Sequence, residues 1–341
     1  MDVGIGTTGL CNLTCPHCYS RKYDGKFISL NDMERLLEVV EISSVNFGTG
    51  ENILNPDFRA ILRLLHSHDV KMSLTTNGFT VSQLENEYLA MFHDIDFSLE
   101  FPDQVSQDTY RGAGTWNSVS KGLERCKALS IPTSIACVLM RPNAHSLLGF
   151  RKLMKNFNCL LRINVIKCGD FLRGDKEYYS LKYDVFWNTF IDLFHEFRLI
   201  SCSEPILCVA IDMENSSNGS PCGKESIRIQ PNGSILPCVY WPEEIANIHD
   251  DGFRFDLLHN AGGFDEISTI PTFCFSCVYI NSCRGGCASR RKLSGGINTP
   301  DEFCPIYRGL EFPNIKVSFS KNRFDLVHSS YLCTIIFGAE D

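Results

Sequence analysis

The stretch Val3-Gly4-Ile5-Gly6-Thr7-Thr8-Gly9-Leu10-Cys11-Asn12-Leu13-Thr14-Cys15-Pro16-His17-Cys18 decides the architecture. Val3 to Gly6 is a short apolar run punctuated by glycine, the pattern of a buried strand, and a CxxxCxxC loop follows directly. Three thiolates on so short a loop can wrap one [4Fe-4S] cube and leave its fourth iron without a protein ligand. A closed electron-transfer cluster asks for four cysteines, and a structural zinc asks for a fourth Cys or His at ordinary spacing. His17 adjoins Cys18 and would strain to reach the same ion. Ligand count and placement therefore favour an open iron-sulfur site over zinc.

Outward from that loop, short β-rich segments alternate with helical patterns up to about residue 200, the sign of parallel βα units and an α/β fold. The six strands expected are Val3 to Gly6, Ser44 to Phe47, Lys71 to Thr75, Ile95 to Leu99, Thr133 to Leu139 and Leu161 to Val165. Met33, Leu36, Leu37 and Val40 before the second strand share one helical face, and so do Phe58, Ile61, Leu62 and Leu65 after it. Ser29, with Asp32 three residues on, is the expected cap of the first of these helices, with Asn31 as the alternative.

Composition narrows the function. The chain has 341 residues, 44% of them hydrophobic, and a net charge of −8 without basic runs, so it can build a real core and is a poor nucleic-acid backbone reader. No apolar stretch approaches the roughly 20 residues of a membrane helix, and the first six residues lack a signal peptide's basic start and apolar middle. A cytoplasmic protein that binds neither nucleic acid nor membrane is expected. In a reducing compartment its 17 cysteines point to metal binding or redox chemistry rather than disulfides.

Beyond residue 200 the texture turns to Gly, Asn, Ser and Pro around cysteines. Ile227 to Gln230 and Ser234 to Leu236 look like hairpin arms about Pro231-Asn232-Gly233. Residues 215–305 hold too little periodic apolar sequence for an ordinary core, so bound metal is expected to supply folding energy. The second cysteine group runs Cys222-x10-Gly233-x4-Cys238, then Cys274-x2-Cys277-x5-Cys283-x3-Cys287, then Cys304.

With both groups in view, the chain resembles the radical S-adenosylmethionine (SAM) enzymes that carry a seven-cysteine SPASM extension. The resemblance implies a partial (β/α)6 TIM-like barrel over residues 1–200, a small cysteine-rich SPASM domain over 201–306, and a tail over 307–341 to which no role can be assigned. It implies that Cys11, Cys15 and Cys18 hold the SAM-binding cluster. Phe47-Gly48-Thr49-Gly50-Glu51 is similar to the family's Gly-Gly-Glu segment, with Thr49 interrupting the double glycine. Thr75-Thr76-Asn77-Gly78 and Ser98 look like positions that line the SAM carboxylate and ribose, and Arg111 and Asn143 are also family-like. His17 stands where an aromatic residue commonly precedes the third cysteine. Alone, Gly48, Gly50 and Gly78 would read only as turn formers.

Carried over in the same way, Cys222, Cys238 and Cys287 would hold one auxiliary [4Fe-4S] cluster, and Cys274, Cys277, Cys283 and Cys304 a second, three clusters in all. The first lacks a ligand, for which the resemblance suggests a cysteine upstream, Cys208 before Cys202, or an iron left open for substrate. Cys126, Cys137, Cys159, Cys168, Cys202 and Cys333 are then left over as mostly buried small hydrophobes. The auxiliary clusters could relay electrons or only staple the domain.

The same resemblance implies a peptide maturase that abstracts hydrogen from a ribosomally made precursor, with crosslinking, thioether formation, epimerisation or tyramine excision as outcomes. The short lead to Cys11 and the Gly-x-Gly-Glu-Asn loop look similar to maturases of proteusin-type precursors, including the splicease group. Implied partners are the precursor peptide, a separate small leader-recognition protein of the RRE type, and an external electron donor such as flavodoxin or ferredoxin. One alternative is a sulfatase-maturing, formylglycine-forming enzyme, but Val239 stands where that group places an Asp base. The other is a non-enzymatic iron-sulfur electron carrier, which has no use for Gly50-Glu51 or Thr76-Asn77.

Overall fold

Strands β1 (Asp2–Ile5), β2 (Ser44–Phe47), β3 (Lys71–Thr76), β4 (Phe92–Ser98), β5 (Thr133–Leu139) and β6 (Leu160–Val165) pair in chain order, each parallel to the next. The computed structural model describes residues 1–23, 25–213, 222–223, 226–251, 253, 262–321 and 333–338. The six expected strands are all present, their ends moved by up to three residues where Phe92 opens β4 early.

Side chains alternate across these strands, and the two sets differ in kind. Val3, Ile5, Val45, Phe47, Met72, Leu74, Ile95, Phe97, Leu161 and Ile163 are buried in one apolar core with the flanking helices. Phe47 meets Phe58 of the helix Phe58–Ser67 edge-on at 5.3 Å between centroids. The opposite set is polar and in register: Asn46 faces Ser73, Thr75 faces Asp96, and Asp96 faces Ser134. These join across the sheet, with Asn46 Nδ2 donating to Ser73 Oγ (3.0 Å) and Arg162 and Ser134 both donating to Asp96. The inner face of the sheet is thus a hydrogen-bonded polar layer.

Ser29 caps the helix Leu30–Val39 as the sequence predicts. Its hydroxyl accepts from Asp32 N (3.2 Å), while Asp32 Oδ2 accepts from Ser29 N (2.9 Å), completing a capping box.

The sheet takes strands from all three stretches, 1–200, 201–306 and 307–341. The hairpin β8 (Ser226–Ile229) and β9 (Ser234–Leu236), which the Pro231-Asn232-Gly233 turn predicts, joins β1 through β8 in parallel, and β10 (Ala246–Asn247) follows at that edge. At the other end, β7 (Arg198–Cys202) is separated from β6 by β11 (Thr334–Gly338), which is antiparallel to both. The order is β10-β9-β8-β1-β2-β3-β4-β5-β6-β11-β7. The tail strand β11 therefore docks inside the sheet, between β6 and β7. Ser318 O also accepts from Leu199 N (2.8 Å), while Tyr331 and Leu332 lie outside the described residues. Among the described residues no helix is long and apolar enough to cross a membrane.

Candidate functional site

At the carboxyl ends of the parallel strands, where α/β barrels build their sites, lies a cavity of about 1020 Å³ counted to its open mouth. Cys11, Cys15 and Cys18 all line it. Their loop is tied down by Arg173 N and Arg21 Nη2, which donate to Pro16 O (2.9 and 3.0 Å), and is folded on itself by Cys18 N donating to Cys15 O. Leu13 N donates to Cys11 Sγ (3.4 Å), and Asn77 Nδ2 approaches the same sulfur at 3.7 Å while bonding Asn12 Oδ1 at 2.9 Å. Such N–H groups favour a thiolate. Burial, with the Glu51 charge adding to it, pushes the Cys11 thiol up to about 12. Burial also raises Cys15, against the opposing pull of Arg111. Metal loading must release these protons.

Gly48, Gly50 and Glu51 follow β2 and line the cavity. Gly50 sits at φ 67°, and a Cβ there would fall 2.4 Å from Thr8 O and 2.5 Å from Leu10 O, so the β2 loop can press on the cysteine loop only with glycine at this position. The Glu51 carboxylate is wholly engaged by the neighbouring segment. It accepts from Thr76 Oγ1 (2.7 Å), Asn77 N (2.6 Å), Thr80 N (3.0 Å) and Thr80 Oγ1 (2.6 Å). Burial raises its pKa against these four donors, which favour the anion. Glu51 thus fixes Thr76 and Asn77, both in the lining, and Gly78 at φ 97° turns the chain away beneath them.

Ser98, His17 and Arg111 line the same cavity, and Glu100, which the sequence reading passed over, ties the last two together. Arg111 donates to both Glu100 oxygens, one at 2.8 Å, and His17 Nε2 lies 3.5 Å from Glu100 Oε1. His17 Nδ1 meets Tyr110 Oη at 2.9 Å, the rings stacked 5.4 Å apart. Burial would raise the Glu100 carboxyl, but Arg111 and then His17 outweigh it and hold it below the ordinary range. Burial lowers His17 to about 4, so the ring is neutral at pH 7. Both its nitrogens are occupied, which leaves it no role as a fourth cluster ligand. Asn143 lies outside this lining, its amide donating to Glu100 O and Val138 O (both 2.9 Å) and accepting from Met140 N (2.8 Å). It shapes the turn after β5.

Other lining residues missed by the sequence reading come from the polar layer: Asn46, Thr75, Arg162, Asn164 and Arg228. Their signal was present as polar residues at every second strand position, hidden because the strands were recognised by their apolar half. Arg228 crosses from β8 to reach Asn46 Oδ1 (3.4 Å) and Tyr19 Oη (3.5 Å). Val239 and Tyr240 close the wall beside it. Arg162 Nε, Asn164 Oδ1 and Arg228 Nε are buried without a hydrogen-bond partner. A buried polar atom in that state is costly, and a polar ligand would relieve it. These orphaned groups beside three thiols fit a cluster with a charged, hydrogen-bonding co-ligand. Among the described residues no three His, Cys, Asp or Glu side chains are gathered as ligands of a single metal ion, and a cube spreads its thiolates wider than one ion does.

The remaining cysteines fall into two neighbourhoods. Cys274, Cys277, Cys283 and Cys304 act on one another electrostatically, and Cys274 and Cys283 are pushed up chiefly by burial. Cys222, Cys238 and Cys287 form the other, all buried, with Cys222 hydrogen-bonded to Cys238. Cys208, the ligand looked for here, instead lies with Cys202, its Sγ 3.6 Å from that sulfur and 3.3 Å from Cys202 O. The thiol in contact with both Cys222 and Cys287 is Cys333, which the sequence reading left among the small hydrophobes.

Comparison with known proteins fits this geometry. Residues 5–154 match the family model described as Radical SAM superfamily. The mycofactocin maturase MftC of Mycobacterium ulcerans (strain Agy99) is 26% identical, over 87% of this chain and 85% of that protein. Among solved structures, native anSMEcpe with bound AdoMet superposes at a TM-score of 0.70 with 19% identity, over 90% of this chain and 95% of that one. Streptococcus suis SuiB bound to precursor peptide SuiA superposes at 0.69 with 18% identity, over 89% and 75%. At those identities the structural likeness is one of fold. The family match ends after β5, so it covers the thiol loop and the β2 to β4 loops that make up most of the cavity wall. Residues 5–154 of this chain thus carry a radical SAM domain.

Proposed function

We propose that this chain is a peptide maturase that binds SAM at the Cys11, Cys15 and Cys18 site and abstracts hydrogen from a ribosomally made precursor peptide. The observation that carries the reading is that these three cysteines, and no fourth among the described residues, open into a cavity walled by the β2 to β4 loops and by Arg228, Val239 and Tyr240 of the cysteine-rich region. The likeness to MftC and to SuiB with its precursor peptide supports a peptide substrate.

When bound, a cluster with one iron free of protein ligands supplies the electron that splits SAM to a 5′-deoxyadenosyl radical. The chain's own work is positioning. Thr76, Asn77 and Ser98, with the Gly48 to Glu51 loop behind them, present hydroxyl, amide and backbone groups to a polar co-ligand, and Arg228 offers the guanidinium charge a carboxylate would take. Arg111 neutralises Glu100. Val239 and Tyr240 make an apolar wall that keeps water and stray hydrogen donors from the target carbon. An apolar residue at 239 also leaves no base for formylglycine formation. Two auxiliary clusters on the second cysteine group, an external donor such as flavodoxin or ferredoxin, and a separate leader-recognition protein complete the reading.

The test is anaerobic reconstitution with SAM and a reductant. The wild type should hold about twelve irons and release 5′-deoxyadenosine. Replacing Cys11, Cys15 and Cys18 with Ala should remove about four irons and all deoxyadenosine. Continued deoxyadenosine production by that variant would sink the mechanism. Mass spectrometry of a co-expressed precursor then distinguishes crosslink, thioether, epimer and tyramine loss.

A further inference from the structure

From the contacts around Cys287 and Cys222 we infer that Cys333, delivered by the chain's last strand, is the fourth protein ligand of the first auxiliary cluster, which is therefore closed to substrate. The inference rests on the auxiliary-cluster reading above and deepens it.

Cys333 immediately precedes β11, and β11 runs antiparallel to β6 with Thr334 opposite Asn164. Because β6 belongs to the parallel set, the start of β11 lies at the carboxyl end of that set, the face on which the sites are built. Two bonds hold it in place: Thr334 N donates to Ser203 Oγ (3.1 Å), and Ser203 N donates to Thr334 O (2.8 Å). Cys333 is thereby set against Cys222 and Cys287, hydrogen-bonded to both, while Cys222 is bonded in turn to Cys238. All four thiols are at most 3% exposed.

The surroundings are those of a buried anion. Lys167, 2% exposed, acts on Cys238, Cys287 and Cys333, and its ammonium stands 5.1 Å over the Tyr240 ring. A buried ammonium is costly unless a negative group accompanies it. The other nearby cation, Arg290, is already held by Glu204 and Asp301, and Asp301 also fixes Cys287 N at 2.9 Å. A cube on four thiolates is a net dianion and adds to the negative charge that Glu204 brings to Lys167; three thiolates would supply less and leave an iron exposed. Cys208 is engaged with Cys202 on the far side of Glu204 in sequence, in a helix, Pro205–Ala210, whose cysteine is fully buried.

The experiment uses the full chain with Cys11, Cys15 and Cys18 replaced by Ala, so that only auxiliary iron is counted, reconstituted anaerobically without added thiol. The parent should hold about eight irons. Adding Cys208→Ala should leave the iron count and the electron paramagnetic resonance of the reduced protein unchanged. Adding Cys333→Ala should change both, through loss of about four irons or appearance of a three-iron species, and 2-mercaptoethanol should restore the parent spectrum by filling the vacated iron. Cys333→Ser, which keeps the size and hydrogen bonding of the side chain, should fold and give an altered spectrum if the alanine variant does not fold. An unchanged spectrum for both Cys333 variants, or loss of iron in Cys208→Ala, overturns the assignment while sparing the auxiliary clusters. A parent holding no iron overturns both.

Discussion

At the scale of single residues, the cavity depends on atoms that are absent as much as on those present. Gly4 lies opposite both Asn46 and Arg228 in the sheet, and a Cβ on it would fall 1.8 Å from Arg228 Nη1 and 2.6 Å from Arg228 Cδ. Gly4→Ala must therefore push the guanidinium out of the cavity. Loss of one charge-assisted hydrogen bond of ~1.5–3 kcal/mol corresponds to SAM binding weaker by roughly ten- to a hundredfold, measured by equilibrium dialysis on reconstituted protein with iron content unchanged. Arg228→Ala should weaken binding by a similar factor, and the double variant should be no worse than Arg228→Ala alone, since the clash has gone with the side chain. Additive losses would mean that Gly4 acts elsewhere. The motif residues around this point were legible because their spacing is local: a CxxxCxxC, a Gly-x-Gly-Glu, a Thr-Asn-Gly. Arg228 was not legible as a cavity residue, since only the parallel pairing of β8 with β1, across more than two hundred residues of chain, puts it there.

At the scale of elements, local rules worked where local chemistry decides. The helix Leu30–Val39 starts where Ser29 and Asp32 satisfy each other's free backbone groups, and Asp57 Oδ2 accepts a further one from Leu30 N at 3.0 Å. Ser29→Ala removes one acceptor and should cost about 1 kcal/mol, read as an apparent thermal midpoint about 2 °C lower. Iron content and deoxyadenosine yield should stay as in the wild type, because this helix start contributes nothing to the cavity lining. A larger effect on activity than on stability would show that the cap also orders the cysteine loop. The same locality explains the six strands and the hairpin about Gly233. It also explains why no role could be assigned to the tail. Ile335, Ile336 and Phe337 announce a buried strand, but nothing in them says that it enters between β6 and β7, a placement set by partners more than a hundred residues away. The inference that Cys333 rather than Cys208 completes the cluster has the same origin: sequence distance favours the first candidate named, Cys208, whereas the topology brings Cys333 to Cys222 and Cys287.

At the scale of the whole molecule, two kinds of cohesion meet in one sheet. The barrel strands share an unbroken apolar layer with their helices, whereas the cysteine-rich region's own cluster is small: Leu236, Val239, Tyr240, Trp241, Ile267 and Ala288 around Cys222 and Cys238. The buried set Glu204, Arg290 and Asp301 links that region to the segment after β7, but breaking one member of such a set costs more than the intact set contributes, so it specifies position better than it stabilises. On the proposed reading, clusters bound there would supply much of the region's stability, beside the side chains such as Ile227, Ile229 and Phe303 that it lends to the barrel's core. Anaerobic removal of iron by a chelator, followed by hydrogen exchange, should show the division directly. Amides in 264–306 should lose protection first and furthest, those of β2 to β5 should keep theirs, and β8 and β11 should fall between, because each is laddered to a barrel strand and, on the proposed reading, would be tied near its start to a cluster cysteine. In the Cys333→Ala variant β11 should lose protection even with the other iron in place, since its anchoring ligand is gone. Equal loss across all strands would mean that the barrel too depends on metal, and no loss in 264–306 would mean that protein contacts alone hold the cysteine-rich region together.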